Sequence, residues 1–136
     1  NGMAIHSGRN RLYVVNETGG SVSVINMLTS SVVSTITSSP SPRAVEVHES
    51  RDKLYVGRAN IDVFDCSSEV LLSTIAQGGV ATYTMAIRPA SDRLYAVTTV
   101  TSELKVYNTS TDSFIEAWAY GATFNSDTTA RAVGVQ

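Results

Sequence analysis

The chain has 136 residues, 43% of them apolar, with a formal net charge of −2 and 16% charged residues. That suits one globular domain. It does not suit a nucleic-acid or anionic-membrane binder, which would cluster Lys and Arg, and no apolar run approaches the ~20 residues that cross a bilayer.

The run MAIH at 3–6 alternates apolar and small or polar residues and reads as a strand. SGRN at 7–10 suits a tight turn into a second strand, RLYVVN. NETGGS joins this to a third, VSVIN at 22–26, and NMLTSS turns the chain into a fourth, VVSTI at 32–36. The series then repeats. VEVH at 45–48, the turn ESRD, KLYVG, the link GRAN, IDVFD at 61–65, the turn DCSSE and LLSTI at 71–75 form a second set. MAIR at 85–88, PASD, RLYAV, TTVTSE, LKVYN at 104–108, NTSTDS and FIEAW at 114–118 form a third, and VGVQ at 133–136 opens a fourth. Leu-Tyr pairs begin at Leu12, Leu54 and Leu94, spaced by 42 and then 40 residues, each after a basic residue: Arg11, Lys53 or Arg93. The turns into the fourth strands open on Asn26, Asp65 and Asn108, whose side chains can bond the backbone two residues on. No window carries a sustained helical stripe.

Four strands recurring at a period near 40 are the signature of a propeller blade. The expected fold is all-β: three four-stranded antiparallel blades, about 3–37, 44–76 and 84–119, with the start of the next blade at 132–136. Because one blade cannot bury both faces alone, the Val and Ile positions of the first strands should face neighbouring blades. The middle column of those strands holds Ala4, Glu46, Ala86 and Gly134, mostly small, as crowding near an axis requires. Three blades are fewer than the four to eight of a closed ring. Position 1 is Asn rather than Met, and no signal peptide is visible, which reads as a chain processed or excised from something longer. The expected partners are the remaining blades of a six- or seven-bladed propeller, or other copies of the chain.

The stretches RLYVVNETGGSVSVINMLTSSVVSTI and KLYVGRANIDVFDCSSEVLLSTI resemble the YVTN-type β-propeller repeat. The first repeat carries Leu12, Tyr13, Val14, Asn16, Val22, Val24, Ile25, Asn26, Thr35 and Ile36 of that pattern; the third departs from it at Ala96, Thr98 and Trp118. The resemblance implies a propeller found in surface-layer and other cell-surface proteins, with lactonase-like and redox enzymes among similar propellers.

Candidate site residues follow from repeat position. Arg43, Tyr83 and Arg131 precede the first strand in successive units, so their loop tips should ring one mouth of the channel. Two guanidiniums and a phenol there suit a carboxylate, phosphate or sugar; the alternatives are solvated loop residues or a pairing of Arg43 with Glu46. The longer third unit, with Tyr120 and Phe124, offers a second place for a ligand. His6 and His48 share one repeat position, held by Arg88 and Gln136 in the other copies, and read as polar residues closing the first strand. Cys66 is the sole cysteine; it aligns with Met27 and Thr109 in a turn, which argues against a catalytic thiol and precludes an intrachain disulfide. Sequons at Asn16 and Asn108 and a Ser/Thr total of 33 point to an exported, hydroxyl-rich module, extracellular or at the cell surface.

No Gly-x-Ser-x-Gly, paired histidine or Asp-rich loop is present, and Gln77–Thr82 is Gly-rich without a phosphate-loop lysine. The expectation is a non-catalytic binding or scaffold module with no cofactor and no metal, taking a protein or a small anionic or sugar ligand. The alternatives are a fragment of a lactonase-like or redox enzyme and a carbohydrate-binding propeller.

Overall fold

The computed structural model describes residues 2–38 and 40–119. Among the described residues, twelve strands form three four-stranded antiparallel sheets. The first holds β1 (Met3–His6), β2 (Arg11–Asn16), β3 (Ser21–Asn26) and β4 (Ser31–Thr37). The second holds β5 (Ala44–His48), β6 (Lys53–Gly57), β7 (Asn60–Asp65) and β8 (Leu71–Ala76), and the third β9 (Thr82–Arg88), β10 (Arg93–Thr98), β11 (Glu103–Asn108) and β12 (Ser113–Ala119). Each sheet is a simple meander in chain order. The segment VGVQ, together with Tyr120, Phe124 and Arg131, lies outside the described residues.

The Leu-Tyr pair explains the stacking. Neighbouring strand residues point to opposite faces, so Leu54 looks back at the first sheet and Tyr55 forward to the third. Leu54, Val45, Val56 and Phe64 pack with Tyr13, Val22, Val24 and Ile36 of the first sheet in one core. Tyr55, Ala44, Ile61, Val63 and Ile75 pack with Met85, Leu94, Ala96 and Tyr107 of the third sheet in another. The middle sheet is buried on both faces. On the first sheet, Met3 is 66% exposed, where its counterparts Val45 and Met85 are 2% and 3%, and Ile5 is 53% exposed, where Val47 and Ile87 are partly buried. Gly57 lets the third sheet come close: a methyl there would sit 2.9 Å from Thr82 Cγ2.

The turns after the first strands build the junctions. Each is a single 3-10 turn, Ser7–Arg9, Glu49–Arg51 or Pro89–Ser91, ended by a left-handed residue: Asn10, Asp52 or Asp92, at φ 51, 53 and 52°. Asn and Asp tolerate that conformation better than other non-glycine residues. Their carbonyls accept the backbone N–H of Met27, Cys66 and Thr109, at 3.0, 2.8 and 3.0 Å, which ties the two turns at one end of each sheet together. The carboxylates reach the preceding sheet. Asp92 accepts from Arg51 at 2.6 and 2.7 Å, with His48 Nε2 3.3 Å away. Asp52 likewise accepts from both ends of the Arg9 fork and, at 3.0 Å, from His6 Nε2. His6 and His48 therefore do more than close their strands: each joins its sheet to the next.

A second tie repeats at the turns before the outer strands. Ser34 donates to Glu69 at 2.6 Å, while Tyr55 and Lys53 donate to Asp112 at 2.8 and 2.7 Å. Those turns open as the sequence indicates: Asn26, Asp65 and Asn108 each accept the N–H two residues on, at 2.9, 2.9 and 2.8 Å. Every outer strand carries one extra residue, Val33, Leu72 or Ile115, at the same register. Such bulges twist an edge away from further pairing.

Glu46 breaks the pattern of its column. Its neighbours in that column, Ala4 and Ala86, are small, whereas Glu46 is a half-buried carboxyl to which no hydrogen bond is found among the described residues. Burial pushes its carboxyl from 4.5 up to about 7. The folded state then holds a proton that the unfolded chain has lost, so stability falls as pH rises from about 4.5 through 7. Replacing Glu46 by Ala should therefore stabilise the fold by about 1–2 kcal/mol near pH 8, allowing for partial solvation, with the gain vanishing near pH 4. Urea unfolding at the two pH values checks this; an equal effect at both would mean that folding does not shift the proton affinity of Glu46.

Candidate functional site

The opposite end of the sheets, where the first strands begin, carries an open cleft of about 320 Å³ lined by Gly2, Val15, Glu17, Pro42, Arg43 and Tyr83. All three sheets contribute. Gly2 and Val15 are held together by the Val15 N–H to Gly2 carbonyl bond at 2.8 Å. Glu17 follows β2 in the exposed turn to β3. Pro42 and Arg43 lead into β5, with the Arg43 N–H fixed on the Gly57 carbonyl at 3.0 Å. Tyr83 lies near the start of β9, anchored through Thr82, whose N–H meets the Arg58 carbonyl at 2.6 Å and whose hydroxyl meets Gln77 Oε1 at 2.7 Å.

The Arg43 guanidinium lies over the Tyr83 ring, 5.7 Å from its centroid, in cation–π geometry. Its Nε donates to Glu17 Oε1 at 2.5 Å. Arg58, from the link after β6, brings a second guanidinium to within 3.8 Å of the same oxygen. Its Nη1 is buried and has no hydrogen-bond partner among the described residues. Two guanidiniums thus share one carboxylate, which leaves a net positive charge at the cleft, with Arg43 over the aromatic face. A carboxylate or phosphate fits such a place.

The structure brings Arg43 and Tyr83 together; Arg131 and Tyr120 lie outside the described residues. The pairing of Arg43 with Glu46 does not form. The two residues are an odd number apart in an extended segment, so they point to opposite sides, and Arg43 binds Glu17 instead. Glu17 and Arg58 are missing from the candidates chosen by repeat position. Both sit in the links between second and third strands, NETGGS and GRAN, which differ in length and so do not align by repeat.

Two other groupings resemble chemistry. Ser50 Oγ is 3.2 Å from His48 Nδ1, with Asp92 beyond Nε2. This has the members of a proton relay. His48 is fully buried, however, and the same clasp recurs at the first junction with Gly8 in place of Ser50, so its common element is structural. Burial of His48 also lowers its pKa, against the pull of Asp92, which favours the neutral ring. Cys66 is buried, and its thiol is pushed up to about 11 by that burial. It is not an activated nucleophile. As for the sequons, Asn16 donates its amide nitrogen to Ser21 and Ser23 at 3.1 and 2.9 Å, whereas Asn108 uses its amide oxygen in the turn.

No family model matches the chain, and no curated protein matches it in sequence. Solved structures match it in fold. The hydrazine synthase of Kuenenia stuttgartiensis superposes with a TM-score of 0.80 at 18% identity, over 88% of this chain and 35% of that one. U3-55K superposes with a TM-score of 0.77 at 14% identity, and the WD40 repeats of RRP9 with 0.77 at 15%, each over 88% of this chain and 39% of theirs. The chain thus spans well under half the length of these proteins. At such identities the likeness is one of fold, and with the three meander sheets stacked face to face it shows that the chain is folded as successive blades of a β-propeller.

Proposed function

We propose that the chain is a non-catalytic binding or scaffold module, part of a larger propeller of the YVTN type in an exported or cell-surface protein. Its ligand is a small molecule or protein segment bearing a carboxylate or phosphate. The observation that carries this reading is the cleft at the strand-start end, where Arg43 and Arg58 outweigh Glu17 beside the face of Tyr83. The repeat phrases around Leu12, Leu54 and Leu94 support the YVTN assignment. The sequons support export, with Asn108 the better acceptor because its amide nitrogen is not tied up as that of Asn16 is.

Binding of a carboxylate or phosphate ligand tests the proposal. A forked guanidinium contact that is partly desolvated contributes roughly 1.5–3 kcal/mol, so Arg43→Ala should weaken binding about 10- to 100-fold. Glu17→Gln should tighten it, because the side chain competing for both guanidiniums loses its charge. A thermal-shift screen with citrate, inorganic phosphate and acidic sugars, followed by titration of both variants, reads these effects. A ligand that binds wild type and both variants equally would place the site elsewhere.

The larger-ring reading makes a separate prediction. Three blades that cover 35–39% of the neighbours' chains imply further blades against the first sheet, over Met3 and Ile5. The 136-residue chain alone should then self-associate and bind an apolar dye. Light scattering that shows a monomer without dye binding would contradict it.

A further inference from the structure

The junction between the first two blades holds a histidine, a carboxylate and a thiol in one place. His6, Asp52 and Cys66 present ligand atoms that all lie within 4.8 Å of one another. His6 and Cys66 are 5% and 6% exposed. The placement follows from the blade frame: the Cys66 N–H is fixed at 2.8 Å on the Asp52 carbonyl, and the Asp52 side chain reaches back to His6 at 3.0 Å.

The second junction serves as an internal control. It repeats the same frame with His48, Asp92 and Arg51, but Thr109 stands in place of Cys66. The first junction also has Glu49, whose carboxylate lies 3.5 Å from His6 Nδ1; Pro89 holds that position in the next blade. His6 Nδ1 is buried and has no hydrogen-bond partner among the described residues. Both departures from the repeat act in the same direction. One adds a soft ligand, and the other sets a carboxylate behind the histidine, the usual support of a metal-bound imidazole.

We propose that this junction is a metal site, in which His6 Nε2, Asp52 Oδ1 and Cys66 Sγ bind one Zn²⁺ that staples the first blade to the second. The ligand set is nitrogen, oxygen and sulfur, which suits zinc, with the fourth position left to water on the open Asp52 side. On binding, the ion replaces the His6 to Asp52 hydrogen bond. The imidazole proton moves to Nδ1 and is donated to Glu49, while the Cys66 thiol releases its proton to solvent as it becomes a thiolate. The Tyr13 hydroxyl, in the same buried cluster as Cys66, is available to donate to that thiolate. Arg9, whose fork donates to both oxygens of Asp52, keeps its bond to Oδ2 and shares Oδ1 with the ion. The charges then balance: the dication and Arg9 against the thiolate, Asp52 and Glu49. Sequence alone gives no hint of this, because His6, Asp52 and Cys66 follow no metal-binding spacing.

The test uses the whole chain, stripped with a chelator and titrated with Co²⁺ and then Zn²⁺. The expected result is one ion per chain, a thiolate-to-cobalt charge-transfer band, release of a proton, and a rise in the unfolding midpoint. Cys66→Thr installs the residue of the second junction and should abolish the band and reduce affinity to the non-specific level. Glu49→Gln, at an exposed position, should weaken Zn²⁺ binding roughly 10- to 100-fold. Absence of the band in wild type, or equal affinity in wild type and Cys66→Thr, overturns the proposal. Should Cys66→Thr not fold, unchanged affinity in Glu49→Gln overturns the geometry by itself.

Discussion

The structure depends on one residue at each blade junction that must be left-handed and acidic at once. Asp52 and Asp92 each end a 3-10 turn at positive φ. Each gives its carbonyl to its own blade, at Cys66 or Thr109, and its carboxylate to the Arg and His of the blade before. A glycine would satisfy the backbone and leave His48 without its carboxylate; a glutamate would reach the histidine and strain the turn. Asn10 holds this position in the first blade, where no described blade precedes it, so the charge is present where a donor pair meets it.

What the clasp fixes at one end of the blades decides what appears at the other. With the turns locked, the first strands run in step, and their starting ends bring Gly2, Pro42, Arg43 and Tyr83 around one cleft. The links after the second strands then add Glu17 and Arg58. The apolar layers fill the space between. Leu54 faces one neighbour and Tyr55 the other, and the tyrosine hydroxyl, too polar to end in a dry core, meets Asp112 of the next blade. Aliphatic burial supplies the driving force, and polar ties at both ends of the core set the register.

Much of this was legible because the repeat states it three times. The Leu-Tyr pairs, the alternating first strands and the Asx-opened turns are local signals, each with a backbone reason, and they recur in step. The candidate site was half legible. Arg43 and Tyr83 could be placed by repeat position, since equivalent loop tips gather around an axis. Glu17 and Arg58 could not, because their links differ in length between units and a tip without a counterpart has no predictable direction. The role of His6 and His48 was hidden for a related reason. Repeat alignment compares residues at equivalent places, whereas the clasp joins the end of one unit's first turn to the end of the next unit's, about forty positions on. The neighbourhood of Cys66 is a contact of the same kind.

The account's central claim is that blade stacking is held in register by the arginine–aspartate clasp acting with the apolar core. A double-mutant cycle on Arg51 and Asp92, read by urea unfolding of the whole chain at low salt, tests it most directly. Both side chains are 35% exposed, so the clasp cannot draw its strength from burial alone, and a simple surface pair would contribute under ~1 kcal/mol. The bidentate fork, with His48 Nε2 3.3 Å from the same carboxylate, predicts a coupling of about 1–2 kcal/mol. A coupling near zero would contradict the account and leave the register to the Leu-Tyr layers by themselves.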